Sequence, residues 1–407
     1  AKIQKLMRSI RTGMLIALCI SLFSSLSMAV PMPDDMIFLT EEYPPFNYLE
    51  NGVPSGLSVE LLRTALERAG IPFSTEDISL MAWSDAYRMA ESRNNTGLFS
   101  MARTPEREAR FKWAGPLMQC PLVFFAENES LKTARPENKD LRAVVIKDDI
   151  GLYVGREAGI PDENMFQVTT PAEAVQRLID GTSDVWVYAL YPGESLIQTI
   201  AENPESFYIL DDLGRSTYYI AFNLNTDPDI IDAIQTELDA MKTDRRDEGI
   251  TTYEKIVGKY VGPICAEKSQ TRQQITNLVN LTADAISRDA TGTLADIQNG
   301  RHPYKDRSDP SLYVYVFDTG VTLIANAAQP SLAGTNFSGK VDASGKKFRD
   351  EIVTGAMKQG SGIVTYTYSN PLETGIFYKE AYYTLVTGSD KKQYIVCAGR
   401  YLSCDEI

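Results

Sequence analysis

The chain has 407 residues, enough for two or three domains, with 54 acidic against 40 basic side chains and a formal charge of −14. Such acidity argues against nucleic acid or an anionic membrane as partner, and any anionic ligand must be held by local cations against the overall field. His302 is the only histidine and no Cys-x-x-Cys pair occurs. No metal or cofactor site is therefore expected, and a Ser-His-Asp triad has no base except His302.

The first stretch reads as a secretory signal peptide. Lys2, Lys5, Arg8 and Arg11 form a positive start, Met14 to Phe23 is mostly apolar, and Ser27-Met28-Ala29 offers a small-residue cleavage site before Val30. The apolar run is too short for a convincing membrane span, so a mature chain without a span, periplasmic or extracellular, is expected. Removing residues 1–29 leaves 36 basic against 54 acidic side chains, a charge of −18. Cys120, Cys265, Cys397 and Cys404 remain. An oxidising compartment permits disulfides. Cys397 with Cys404 is the preferred pair because the two are close in sequence, and Cys120 with Cys265 stays open.

Met36 to Thr40 reads as a first strand, followed by Tyr43-Pro44-Pro45-Phe46. The two prolines fix an extended loop and hold both aromatics at rigid positions, where they either meet a ligand or pack. Ser58 to Ala69 has helical spacing and closes at Gly70, and Met81 opens another helix that carries Trp83. Leu98 to Ala102 has the length and flanks of a buried strand, and Thr104-Pro105 predicts a short helix after it. Arg103 and Arg107 flank that turn. Guanidinium forks beside free backbone N–H groups predict an anion pocket, most simply for a carboxylate. The plain alternative is that both arginines pair with Glu91, Glu106 or Glu108 on a solvated face.

Strand-like runs at Leu122 to Phe125, Leu141 to Ile146 and Asp184 to Tyr188, with a helix from Ala172 to Ile179, give βαβ alternation and a parallel sheet. Tyr218 to Phe222 reads as a returning strand and Asp227 to Met241 as an amphipathic helix. Four motifs then stand out: Ser-Met-Ala-Arg-Thr-Pro-Glu-Arg at 100–107, Phe-Lys-Trp-Ala-Gly-Pro at 111–116, Gly56 to Leu61, and Lys255 to Gly262. Together they resemble the amino-acid-type extracellular solute-binding proteins, family 3, over roughly residues 37–262.

The resemblance implies a type II periplasmic-binding-protein fold of two α/β lobes. Lobe one would cover about 33–126 and 217–262, lobe two about 127–216, with two crossing strands as the hinge and the ligand between the lobes. It implies that Arg107 holds a ligand carboxylate, Ser100 presents hydroxyl or backbone groups, Tyr43 and Phe46 line the cleft, and Trp83 sits at its mouth, with Arg103 and Tyr188 close by. The acid that meets a ligand ammonium in the family is replaced by Ala189. Asp148, Asp149 or Glu194 could substitute. The expected ligand is a small carboxylate or an amino-acid-like compound, with ordinary amino acids bound weakly.

A polar junction near residues 262–269 precedes a helical stripe, Ile275 to Ile297, that predicts one long helix. Strand patterns follow at Leu312–Asp318, Val321–Ala325, Ile363–Tyr368, Phe377–Leu385 and Tyr394–Cys397, with a helix at Lys347–Lys358: an α+β unit. Tyr313 to Asp318 with Gly320 to Ala325, Leu332-Ala333-Gly334, Val364-Thr365-Tyr366, Tyr378 to Tyr382 and Ala398 to Tyr401 resemble a single Cache (PAS-like) sensor domain. The expected division is a signal peptide at 1–29, a solute-binding unit at 30–262 and a Cache unit at 263–407. The resemblance implies a second small-ligand pocket with Lys379, Tyr366 and Tyr382. The plain alternative is an exposed lysine among packing tyrosines.

The leading expectation is a non-catalytic exported receptor that closes on its ligand and serves an ABC-type permease or a membrane sensor. The competing classes are a periplasmic enzyme of dehydratase type on the same fold and a purely sensory module without transport. Neighbouring permease or histidine-kinase genes would separate transport from sensing.

Overall fold

The computed structural model describes residues 31–407. The leader-like segment and its cleavage site lie outside the described residues. Among the described residues, fifteen strands form an eight-stranded sheet, a five-stranded sheet and a small ribbon. The eight-stranded sheet uses β1 (Ile37–Thr40), β4 (Ile78–Leu80), β5 (Thr96–Ala102), β6 (Lys112–Ala126), β7 (Ala143–Ile146), β8 (Met165–Val168), β9 (Val185–Ala189) and β10 (Tyr208–Phe222) in the order β4-β1-β5-β10-β6-β9-β7-β8. The ribbon is β2 (Tyr48–Glu50) with β3 (Val53–Ser55).

The sheet serves two lobes. β1 pairs parallel with β4 and β5 in the first, and β7 pairs parallel with β8 and β9 in the second. β6 and β10 are each 15 residues long and antiparallel to one another, so both run through both lobes. Leu122–Phe125 and Tyr218–Phe222, expected as short strands, are thus the far ends of the two crossing strands. Their ladder slips at three points, between Ile209 and Asp211, Asp212 and Arg215, and Tyr218 and Ile220. Bulges of this kind bend a strand pair and leave backbone groups unpaired, which suits a hinge.

The short helix expected after Thr104-Pro105 does not form. Residues 105–110 make successive turns, with the Arg107 and Glu108 N–H groups both donating to the Thr104 carbonyl. Only nine residues lie between β5 and β6, too few for a strand exit, a nucleated helix and a re-entry.

The second sheet contains β11 (Val314–Phe317), β12 (Leu323–Asn326), β13 (Ser361–Ser369), β14 (Ile376–Thr387) and β15 (Gln393–Tyr401), all antiparallel, in the order β12-β11-β15-β14-β13. The long helix expected before it is two helices, Arg272–Arg288 and Ala290–Gln298. Asp289 breaks it by leaving helical geometry and accepting the Gly292 N–H with its carboxylate, the behaviour that makes aspartate a good N-cap. Helix Arg272–Arg288 faces the Glu380 side of the sheet, and helix Phe348–Gln359 faces the Tyr366 side, where Phe348 stacks on Tyr366 at 3.9 Å.

The two hydrophobic cores meet at a tight junction. Ile376 of β14 is buried in the first core. Ile264 donates to the Ile376 carbonyl and accepts from the Tyr378 N–H, and Ala266 donates to the Leu402 carbonyl. Cys265 in this linker is bonded to Cys404, with Cα atoms 4.9 Å apart. The expected Cys397–Cys404 pair is therefore corrected. Cys397 lies in β15 with four more strand residues after it, and extended chain separates their ends by about 13 Å, beyond the roughly 7 Å a disulfide tolerates. Cys397 and Cys120 are free and buried.

Candidate functional site

Four parallel-strand ends converge on the crevice between the lobes, the position where open α/β sheets bind ligands. β1 delivers Glu41 and Tyr43, β5 delivers Arg103 to Arg107, β7 delivers Asp148 and Asp149, and β9 ends at Tyr188-Ala189.

Arg107 is almost fully buried there and, among the described residues, its guanidinium makes no ion pair within hydrogen-bond reach. It donates to the Ala102 carbonyl at 3.0 Å in its own lobe and to the Asp148 carbonyl at 2.6 Å in the other. Trp83 Nε1 donates to the same Asp148 carbonyl at 2.9 Å, and the Arg107 guanidinium lies 6.0 Å from the Trp83 ring and 5.4 Å from that of Tyr87. Asp148 reaches this position through a left-handed backbone, φ 63°. A backbone carbonyl of lobe two thus occupies a guanidinium that lobe one offers, and the lobes are held closed.

Beside it lies an acid pair. Glu41 is buried, and burial followed by repulsion from Asp149 pushes its carboxyl well above the ordinary range. Asp149 is also raised, by burial against the opposing pull of Arg107. An aromatic box closes the floor. The Tyr43 and Tyr218 hydroxyls are 2.9 Å apart, Tyr43 meets Tyr188 edge-on at 5.5 Å, and Phe46 lies 5.5 Å from Tyr218. Tyr188 stacks on Trp186 at 4.3 Å, and its buried hydroxyl has no hydrogen-bond partner. Burial drives the Tyr43, Tyr188 and Tyr218 phenols up, so all three stay neutral at physiological pH.

Ser100 and Arg103 do other work. Ser100 has φ 62° at the bulge where β5 and β10 slip, and its hydroxyl turns into lobe one, donating to the Asn47 side-chain oxygen and sharing a hydrogen bond with the Ser58 hydroxyl. Arg103 forms a bidentate pair with Glu108, both bonds 2.6 Å, and its guanidinium packs against Trp113 and Tyr219. That is the solvated-face alternative. Arg103 also lines a groove of about 730 Å³ between the lobes, opposite Tyr153 and Glu157.

In the second unit, cross-strand register places Tyr366, Lys379 and Tyr401 side by side on one face. Lys379 is fully buried and donates to the Tyr313 hydroxyl at 3.1 Å and the Tyr401 hydroxyl at 3.3 Å. Burial pushes its ammonium down to about 7. Tyr382 does not join them. It is three residues from Lys379 on a strand, and period-two alternation turns it to the opposite face. Glu380, on that face, binds Arg272 and Arg400 instead.

Residues 36–263 match the family described as bacterial extracellular solute-binding proteins, family 3, and residues 268–403 match single Cache domain 2. The first match covers more than half of the chain. The protein belongs to the family 3 solute-binding proteins. It carries a Cache domain behind the solute-binding unit. Among solved structures, a histidine kinase sensor domain with similarity to periplasmic binding proteins is 22% identical, covering 56% of this chain and 96% of its own, at a TM-score of 0.47. The arginine-, lysine-, histidine-binding protein ArtJ from Geobacillus stearothermophilus is 16% identical over 56% of this chain and 95% of its own, TM-score 0.46. An ancestral amino acid-binding protein, a precursor of cyclohexadienyl dehydratase, is 17% identical over 55% and 94%, TM-score 0.43. No curated protein compared with the chain matches it.

The crevice between the lobes thus brings together Arg107, Trp83, Tyr43, Phe46 and Tyr188 of the expected residues. Sequence reasoning missed Glu41. The available signal was an acid placed directly after the first parallel strand, where chain ends line the crevice. It also missed Arg245, which reaches the Cache side of the junction from the solute-binding unit.

Proposed function

We propose that this solute-binding protein is a non-catalytic exported receptor for a small amino-acid-like compound, captured by closure of the two lobes. One observation carries the reading: Arg107 of lobe one grips the Asp148 carbonyl of lobe two beside the desolvated acids Glu41 and Asp149. A ligand carboxylate competes for the guanidinium, and its ammonium supplies the charge that the acid pair lacks. Glu41 and Asp149 thereby stand in for the acid missing at Ala189, so an α-ammonium is favoured over a simple carboxylate. The aromatic box selects a compact apolar body. Residues 30–262 form the receptor unit and 263–407 the Cache unit. The buried junction between them supports a signalling output through a membrane partner more than transport alone, because a mobile carrier needs no fixed second domain.

Calorimetry with single amino acids and with the corresponding deaminated acids tests this. Arg107→Ala is expected to weaken binding roughly ten- to a hundred-fold, the loss of one charge-assisted contact. Glu41→Gln should weaken amino acids while sparing the deaminated acids. Tight amino-acid binding unaffected by Arg107→Ala refutes the clamp.

A further inference from the structure

We infer that the Cache unit reads the hinge directly: Glu373, in the loop between β13 and β14, binds the two crossing strands where they bend, so that the angle between the lobes and the conformation of the Cache sheet are coupled. The coupling rests on lobe closure as proposed above, and it names where that closure is felt.

The ladder between β6 and β10 is weakest at its middle slip. Asp212 pairs with Val123 and Arg215 with Pro121, so β10 takes three steps where β6 takes two, and the extra residue forms a bulge. Gly214 supplies the left-handed turn there at φ 87°, with its N–H held by Asp212 Oδ1 at 2.8 Å. Opposite it, Pro121 has no N–H to give to the ladder. A bend between the lobes costs least at this point.

The bulge is also where the Cache unit takes hold. Arg215, the residue that follows it, and Glu373 both have side chains 12% exposed, and Arg215 Nη1 donates to Glu373 Oε2 at 3.4 Å. Arg215 Nη2 lies 3.1 Å from Cys265 Sγ and 3.7 Å from Cys404 Sγ, against the disulfide. From β6, Gln119 is buried, and its Nε2 faces the same Glu373 carboxylate without a bond of ordinary geometry. Each crossing strand thus aims one donor at one acid, and one bond is long while the other is unmade. On its far side Glu373 is fixed by the Glu267 N–H at 3.2 Å and by Asn370 Nδ2 at 3.0 Å. Turning β6 against β10 must change both donor distances to this fixed carboxylate. A buried donor that gains or loses its acceptor shifts the free energy of the whole arrangement, so hinge angle and loop position are linked.

The loop carries the change inward. Gly375 lies where an added Cβ would sit 3.5 Å from Met118 of β6 and from Ile264 of the linker, so the loop is packed on the hinge along its length. Tyr368 before it and Lys379 after it meet on one face of the sheet, with Lys379 Nζ 5.2 Å from the Tyr368 ring. Displacing Glu373 therefore moves the strands that hold the lysine and tyrosine cluster, and by linkage the cluster acts back on the hinge.

Hydrogen exchange of the full mature chain tests the coupling from both ends. Trp83→Phe with Arg107→Ala removes the bonds to the Asp148 carbonyl, so exchange at residues 147–151 should speed and report opening. Exchange at 370–378 should then change roughly five-fold or more, and opening with 370–378 unmoved overturns the coupling. From the other end, Glu373→Gln keeps an acceptor but removes the charge that holds Arg215. It should speed exchange at 147–151 roughly five-fold or more although it lies outside the cleft, and no change there also overturns the coupling. Asp390→Asn weakens the bond to Tyr394 at the opposite end of β14 and controls for simple loss of Cache stability. It should leave 147–151 unchanged, and an effect equal to that of Glu373→Gln overturns the relay. If the double variant does not open the lobes, the Arg107 latch is what fails, and Glu373→Gln decides the coupling alone. Arg215→Lys takes its place should Glu373→Gln not fold.

Discussion

The lobe–lobe contact and the junction between the units are both buried, polar interfaces, yet they are built in opposite ways. Across the cleft, the lobes share side chain to backbone bonds from Arg107 and Trp83 to one carbonyl, beside two acids that repel one another. At the junction, Glu254 accepts both Arg245 nitrogens at 2.6 and 2.7 Å, the Thr251 N–H and the Ser369 N–H. Burial opposes the ionised Glu254 carboxylate, but Arg245 and those donors hold it below the usual range. A disulfide and main-chain bonds flank that pair. The first interface sets two desolvated acids beside one another, which a ligand cation can relieve, and the second is pinned by an ion pair whose carboxylate is fully hydrogen-bonded. One is made to open, the other to persist.

The sharpest way to break that contrast is Glu254→Ala. Removing one partner strands Arg245 in the junction, and about 3–5 kcal/mol of stability should be lost in denaturant unfolding. Replacing both residues with Met should cost far less. A loss below about 1 kcal/mol for the single variant would show that the junction is not pinned there.

Cys265→Ser should cost about 2–5 kcal/mol, because the bond closes a loop with a sequence separation of 139. Non-reducing peptide mass spectrometry should find Cys265 linked to Cys404, with Cys120 and Cys397 as free thiols. A Cys397–Cys404 peptide would reverse the correction made above.

Lys379 gives a pH signature specific to the second unit. Its folded value of about 7 lies below the ordinary 10.5, so the unfolded chain binds more protons between those limits. Stability should therefore rise with pH across that window from this group, and Lys379→Met should flatten the rise. An unchanged slope would mean the ammonium is solvated.

The smallest effect belongs to the cleft. Glu41 is raised, so the folded state binds the extra proton, and its stability contribution is lost as pH rises from its ordinary range through the folded value. Glu41→Gln should stabilise the unliganded chain at neutral pH by on the order of 1 kcal/mol, visible as about 2–4 °C in Tm. Destabilisation would show that Glu41 has a counter-charge.

The sequence alone determined what local periodicity and short motifs encode. The strand before Arg103, the Tyr-Pro-Pro-Phe loop, the closing helix at Pro228–Met241 and the parallel and antiparallel halves are legible because each depends on residues a few positions apart. The motif placed Arg107 at the end of β5, where the structure has it facing the other lobe, although the helix expected around it did not form. What depends on register or distant pairing was decided by the tertiary structure. Tyr382 faces away from Lys379 because alternation along β14 outranks nearness in sequence. Cys404 meets Cys265 rather than Cys397 because an extended strand carries its neighbours apart. Glu41 and Asp149 became a pair, and Arg245 met Arg349, only when strand ends and junction brought together residues about a hundred positions apart in sequence, burying their charges where water no longer screens them.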